Sequence, residues 1–196
     1  MGKIFYIMGK SSSGKDTVYR RIMQIEGDRL SKIVMYTTRP IREGEKDGVQ
    51  YHFTDNKGFD RLLKEGKIIE YRIYDTFYGE WKYFTVDDGN INLDKKNYLI
   101  IGTPASYKAT RQYFGNDKVM PILIDVDDGV RLQRALKREL KQETPKYEEM
   151  CRRFLADAED FSEEKLKECG ITDRFNNEDL DTCLNEVIYY IRQNLQ

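Results

Sequence analysis

Cysteine, histidine, net charge and long apolar runs are all in short supply in this 196-residue chain, and each shortage closes off a class of answer. The three cysteines, Cys151, Cys169 and Cys183, are odd in number and lack metal-ligand spacing, so the sequence predicts free thiols in a reducing compartment. The single histidine, His52, alternates with Tyr51 and Phe53 and reads as a packed or surface residue rather than a participant in chemistry. Lysine and arginine number 33 against 34 acidic residues, a net charge of -1, so the surface as a whole advertises neither nucleic acid nor anionic membrane as a partner. Attraction for phosphate must come from local clusters. No apolar run approaches membrane-spanning length, and the N-terminus opens on a core strand without a signal-peptide layout, which predicts a soluble, cytoplasmic protein. Repeats and low-complexity tracts are missing too.

What is present begins at once. The run Gly9, Lys10, Ser11, Ser12, Ser13, Gly14, Lys15, Asp16, Thr17 follows the apolar stretch Ile4–Met8 and opens a helix-like run that reaches Ile25. Strand, glycine-bounded loop, lysine and helix start together form the setting of a phosphate-binding loop. Gly9 and Gly14 let the backbone curl so that successive N–H groups face one anion, the helix N-terminus adds partial positive charge, and Lys15 reaches the terminal phosphates. The sequence predicts that the chain binds a nucleoside triphosphate. The position after the lysine is Asp16, with the hydroxyl one residue later at Thr17. Two readings of Asp16 stand side by side: a contact to magnesium-bound water, which would relieve its repulsion from a triphosphate, or a first-turn carboxylate favoured by the helix dipole.

The chain is long for one compact core and short for two, which favours a single domain with insertions. Lys3–Met8, Tyr98–Ile101 and Val119–Val126 have the composition of buried parallel strands, with Ile33–Thr37 and Asp173–Asn176 expected at the sheet's flanks. Helical spacing runs over Ala105–Phe114, Val130–Lys141, Tyr147–Lys167 and Leu180–Asn194. This alternation predicts an α/β fold around a mainly parallel sheet flanked by helices. Between Thr38 and Phe84 the texture changes to charged turns and short alternating runs, as in a small, partly antiparallel insertion with a helix near Phe59–Lys64. The aromatic group Tyr71, Tyr74, Phe77, Tyr78, Trp81, Tyr83 and Phe84 is expected mostly in that insertion's own core. Arg138–Arg153, interrupted by Pro145, reads as a helical hairpin reaching out from the core.

Thr37-Thr38-Arg39-Pro40-Ile41-Arg42-Glu43-Gly44-Glu45, followed by Asp47-Gly48 and Tyr51-His52-Phe53, is the second signal. Pro40 fixes the backbone between two arginines, so two guanidinium forks can converge on one anion, with the Tyr51 hydroxyl as a further donor. On composition alone a pair of solvated surface charges would also fit.

Taken together these motifs resemble guanylate kinase. The phosphate loop, the Thr-Thr-Arg run with its Asp-Gly sequel, Ile69-Glu70-Tyr71 and Phe77-Tyr78-Gly79 occur in that family's order and spacing over nearly the whole chain. The resemblance implies a P-loop NTPase core (1–37, 85–133 and 154–196), an acceptor-binding insertion (38–84) and a lid (134–153). It implies ATP as phosphoryl donor, GMP as acceptor and magnesium held by Asp16 and Thr17, through water if at all indirectly. Carried over by position, Arg39, Arg42, Tyr51 and Tyr78 hold the acceptor phosphate and Glu70 accepts from the guanine N1–H and amino group. Arg134, Arg138 and Arg153 close on the triphosphate, and Asn177 lies near the family's adenine-contacting asparagine. Such phosphoryl transfer needs no general base, because the attacking oxygen already belongs to an ionised phosphate.

Three positions depart from the family pattern. Thr103 stands where an aspartate helps to read guanine, Met35 where a serine reaches the base, and Glu80 where Ser or Thr is usual. The phosphate-gripping set is complete while the base-reading set is half replaced. Alternatives are therefore a kinase of the same fold acting on another monophosphate or on ribose bisphosphate, and a non-catalytic guanylate-kinase-like binding module. The last fits poorly with the presence of Lys15, Arg138 and Arg153.

Overall fold

The computed structural model describes residues 1–76 and 79–195. In chain order the elements are β1 (Ile4–Met8), α1 (Lys15–Glu26), β2 (Leu30–Lys32), β3 (Tyr36–Thr37), β4 (His52–Phe53), α2 (Asn56–Lys64), β5 (Ile68–Thr76) and β6 (Gly79–Val86). They continue as β7 (Asn97–Ile101), α3 (Pro104–Phe114), β8 (Val119–Asp125), α4 (Asp128–Glu139), α5 (Tyr147–Asp160), α6 (Glu163–Glu168), β9 (Arg174–Asn176) and α7 (Leu180–Asn194).

Strand β1 is apolar throughout because both of its faces are covered. Phe5 and Ile7 pack with Val18 and Ile22 of α1 and with Val187 and Ile191 of α7. Ile4, Tyr6 and Met8 face the other way, onto Tyr107 of α3 and onto Phe161, Leu166 and Ile171. Around β1 the core sheet has the order β2-β7-β1-β8-β9, with every pairing parallel. This is the α/β architecture predicted from the sequence, and it collects the strand-to-helix loops after β1, β7 and β8 at one edge.

A second sheet, order β4-β3-β6-β5, is built from residues between Tyr36 and Val86. Here β6 runs antiparallel to both β3 and β5. Its two faces differ in chemistry. Phe84, Val86 and Ile68 pack with Phe59 and Leu62 of α2, whereas Glu70, Arg72, Tyr83 and Thr85 belong to the opposite side of the pleat.

Three expectations need correction. Ile33–Thr37 does not flank the core sheet. Leu30–Lys32 takes that edge beside β7, the Ile33 amide makes one last bond to Leu99, and the chain then crosses to put Tyr36 and Thr37 into the second sheet. The helical spacing over Tyr147–Lys167 divides into α5 and α6, because Ser162 caps a new helix by accepting from the Lys165 amide while buried Phe161 anchors the corner. Of the aromatic group only Phe84 is buried among the described residues, and Tyr71 and Tyr74 are exposed. Phe77 and Tyr78 lie outside the described residues. The cysteines are free thiols, Cys169 and Cys183 buried and Cys151 exposed. Among the described residues no helix is long and apolar enough to cross a membrane.

Candidate active site

The loop from Gly9 to Gly14 leaves β1 and enters α1 with its backbone pinned at several points. Gly14 has φ of 89°, and a Cβ there would come within 2.2 Å of the Asn177 side-chain nitrogen, so only glycine fits. Ser12 also adopts a positive φ, 63°. The Ser13 amide donates to the Lys10 carbonyl at 3.1 Å, and the Thr17 and Val18 amides both donate to the Gly14 carbonyl. Lys15 stands at the loop mouth with its ammonium 3.5 Å from the exposed Asp16 carboxylate. The Thr17 hydroxyl accepts from Arg20 Nη2 at 3.4 Å.

Asn177 sits beneath the loop, buried, with its amide nitrogen donating to the Ser13 carbonyl at 2.7 Å. Its backbone carbonyl accepts from Arg134 Nη2 at 2.9 Å, and its Oδ1 is buried without a hydrogen-bond partner. Arg134 is thereby brought to the loop, near Gly14. Arg138 and Arg153 are more than half exposed and pair with carboxylates of their own hairpin. Glu149 accepts from Arg152 and Arg153 together, and those bonds hold its carboxyl down at about 2.

Sequence reasoning missed a cluster behind the loop. Asp157 of α5 accepts the Ser11 amide at 2.7 Å, and Arg131 of α4 donates to the Ser11 carbonyl at 2.9 Å. Arg131 is 1% exposed, lies 4.6 Å from the Phe154 ring, and forks onto Asp128, which also takes Lys10 at 3.1 Å. Both helices of the hairpin are therefore tied to the main chain of the loop. The sequence offered no signal beyond the charges themselves.

At the other end, Arg39 is buried with its guanidinium forked on Glu45 at 3.0 and 2.8 Å and donating to the Pro40 carbonyl. The rings of Tyr51 and Phe53 lie 5.6 and 5.5 Å from its centre. The side chain of Arg42 is exposed, and its backbone amide donates to the same Glu45 carboxylate at 2.8 Å. Glu45 belongs to the same motif, and its part in orienting Arg39 shows only in these contacts. Burial raises the Tyr51 phenol, so its hydroxyl stays protonated as a donor at neutral pH. Tyr78 falls outside the described residues.

Glu70 is buried on β5, opposite Thr85 of β6, whose hydroxyl donates to Oε1 at 2.7 Å. Among the described residues its Oε2 has no hydrogen-bond partner and lies 3.4 Å from Arg72 Nε, which is likewise buried and without one. Thr103 caps α3: it shares a capping box with Ser106, whose amide reaches the Thr103 hydroxyl at 3.4 Å. Ser106 in turn accepts from the Tyr6 hydroxyl at 2.8 Å. Burial first, and then the Glu70 charge, push Tyr6 up to about 12. Met35 touches the same group through its sulfur, 3.6 Å from Arg72 Nη2.

The family model described as guanylate kinase matches residues 1–194. The chain is 40% identical over 68 residues to the guanylate kinase of Schizosaccharomyces pombe, covering 35% of this chain and 34% of that protein. With the guanylate kinase of Zymomonas mobilis it shares 42% identity over 79 residues, 40% of this chain and 36% of the other. The matched stretch thus spans about a third of the length of these curated relatives. Against the crystal structure of guanylate kinase from Anaplasma phagocytophilum the TM-score is 0.66 at 21% identity, covering 100% of this chain and 87% of that one. That likeness establishes the fold.

Proposed function

The chain belongs to the guanylate kinase family, and from that premise we propose that it transfers the terminal phosphoryl group of ATP to GMP. The observation that carries the reading is the pairing of two anion-ready ends with a buried carboxylate that keeps one oxygen free, Glu70 Oε2. Loop amides and Lys15 hold the triphosphate, and Arg39, with Arg42 and Tyr51, takes the acceptor phosphate. Tyr78 completes that grip by its place in the motif. Glu70 accepts from the guanine edge, which adenine cannot match because it has no adjacent pair of donors. Thr103, engaged as a helix cap, contributes to the base site through the Ser106 and Tyr6 hydroxyls rather than as a second carboxylate.

In-line attack by an already ionised phosphate oxygen leaves the protein to align and to neutralise charge. Lys15 and Arg134 spread charge at the loop, and closure of the lid, residues 134–153, carries Arg138 and Arg153 inward while excluding water. The parallel-sheet core and the acceptor insertion, whose sheet runs from Tyr36 to Val86, form the two jaws. Magnesium fits the donors at the mouth: the Asp16 carboxylate is largely exposed and the Thr17 hydroxyl is the next residue's, both hard oxygen donors in the first turn of α1. When bound, the ion neutralises phosphate charge. Asn177, whose nitrogen is committed to the loop, offers Oδ1 to the donor nucleotide.

A coupled ADP-release assay with ATP and GMP, AMP, UMP, CMP or ribose bisphosphate tests this. GMP should exceed the other acceptors by orders of magnitude, with negligible ATP hydrolysis when no acceptor is added. Equal rates on all bases, or turnover of the sugar bisphosphate alone, would overturn it.

A further inference from the structure

The unexplained group in the acceptor site is Arg72. A guanidinium here is costly, because it is largely desolvated, and the Glu70 charge beside it is what keeps its pKa raised. Yet the pair does not close on itself. Arg72 Nε and Glu70 Oε2 lie 3.4 Å apart, both buried and neither hydrogen-bonded, so the N–H does not point at the oxygen. Among the described residues, the hydrogen bond of one Nη nitrogen goes to the Met35 sulfur, at 3.6 Å. The two residues are two apart on β5, so they share one face and present a donor and an acceptor side by side. They also border, with Ser106 and Ala109 of α3, a cavity of about 300 Å³.

We propose that Arg72 is a specificity-determining residue that donates to the 6-oxo group of the acceptor purine while Glu70 accepts from the adjacent N1–H. This deepens the reading of GMP as the acceptor and rests on it. Guanine presents an acceptor and a donor on neighbouring atoms, which is the complement of the Arg72–Glu70 pair. Adenine presents a donor and an acceptor in the reverse order, so both of its groups meet like against like. Leaving buried polar groups unpaired is what makes such a site selective. Arginine suits the position because its planar fork keeps its direction, which a lysine ammonium would not.

The test compares GMP with 6-thioguanosine 5′-monophosphate, which keeps the N1–H and 2-amino group but carries a weakly accepting sulfur in place of the 6-oxo oxygen, in wild type and in Arg72→Met. Wild type must first turn over GMP; if it does not, the reading of the acceptor fails and this inference falls with it. If it does, Arg72→Met should lower kcat/KM for GMP by tenfold to a hundredfold and lower that for the 6-thio substrate by threefold at most. An equal loss on both substrates would assign Arg72 to holding Glu70 and overturn the 6-oxo contact while leaving the acceptor intact. Should Arg72→Met not fold, Arg72→Lys keeps the positive charge and is expected to show the same selective loss at about half the logarithmic size. A Lys variant indistinguishable from wild type on both substrates would also overturn the proposal.

Discussion

The Asp157 carboxylate, near the C-terminal end of α5, accepts the backbone amide of Ser11 in the phosphate loop at 2.7 Å. Arg131 grips the Ser11 carbonyl from α4, so the peptide unit around Ser11 is held between two helices of one hairpin. A charge-assisted bond of this kind is worth about 1.5 to 3 kcal/mol. Asp157→Ala should lower Tm by roughly 3 to 12 °C, since about 1 kcal/mol moves a chain of this size by roughly 2 to 4 °C. The KM for ATP should rise about tenfold. Asp157→Asn, which retains an acceptor oxygen, should do about half as much. Unchanged melting and kinetics in both variants would show that the contact carries nothing.

Glu45 orients Arg39 and anchors the Arg42 amide. Its loss leaves a buried guanidinium with only the Pro40 carbonyl from that set, a cost of about 3 kcal/mol or more. Glu45→Ala should therefore raise the KM for GMP about tenfold and leave that for ATP within twofold. If both constants climbed together, Glu45 would be a fold residue and not part of the acceptor grip.

Hydrogen bonds from Arg152, and then from Arg153, depress Glu149 to about 2. A carboxyl whose folded pKa lies below the unfolded value of about 4.3 adds stability that is fully present above that value and lost as pH falls toward the folded one. Wild type should thus melt above Glu149→Gln at pH 6, and the two curves should converge between about pH 4.5 and pH 2. Parallel curves over that window would refute the pairing. Because these groups are partly exposed, added salt should narrow the gap at pH 6.

Beneath the loop, Asn177→Ala removes the donor to the buried Ser13 carbonyl and should cost about 1 to 3 kcal/mol, read from urea unfolding. Gly14→Ala should be worse for nucleotide binding than for stability. It imposes a side chain at φ of 89° and drives a methyl into Asn177. ATP binding followed by calorimetry should fall below detection in Gly14→Ala and weaken but stay measurable in Asn177→Ala, which loses the Oδ1 contact but keeps the loop glycine. Tight binding in Gly14→Ala would contradict the geometry.

Much of the site was legible in the sequence because it is local. The phosphate loop lies within nine consecutive residues, and its strand, glycines and helix start all follow from short-range backbone rules. The central strands were plain for the same reason: β1 is buried on both faces and is apolar at every position. Asp157, Arg131 and Arg72 were invisible because their meaning lies in a distant partner or in a pleat. Ser11 meets Asp157 across 146 positions and Arg131 across 120. The corner at Ser162 was hidden because the apolar spacing of α5 and α6 runs on through it, while the cap is a single hydroxyl. Exposed Tyr71 and Tyr74 show that aromatic content alone does not say which face of a sheet is covered.

The register of the core has a consequence for how the chain is made. Ile4 pairs with Tyr98 on one side and Val119 on the other, so of these three strands the earliest made lies between two that arrive much later. That apolar segment has no neighbour in its sheet until β7 has emerged from the ribosome, and its other edge stays open until β8 follows. The nascent chain therefore carries an open, aggregation-prone strand until its distant partners arrive, and non-local pairing of this sort sets a slow pace for folding.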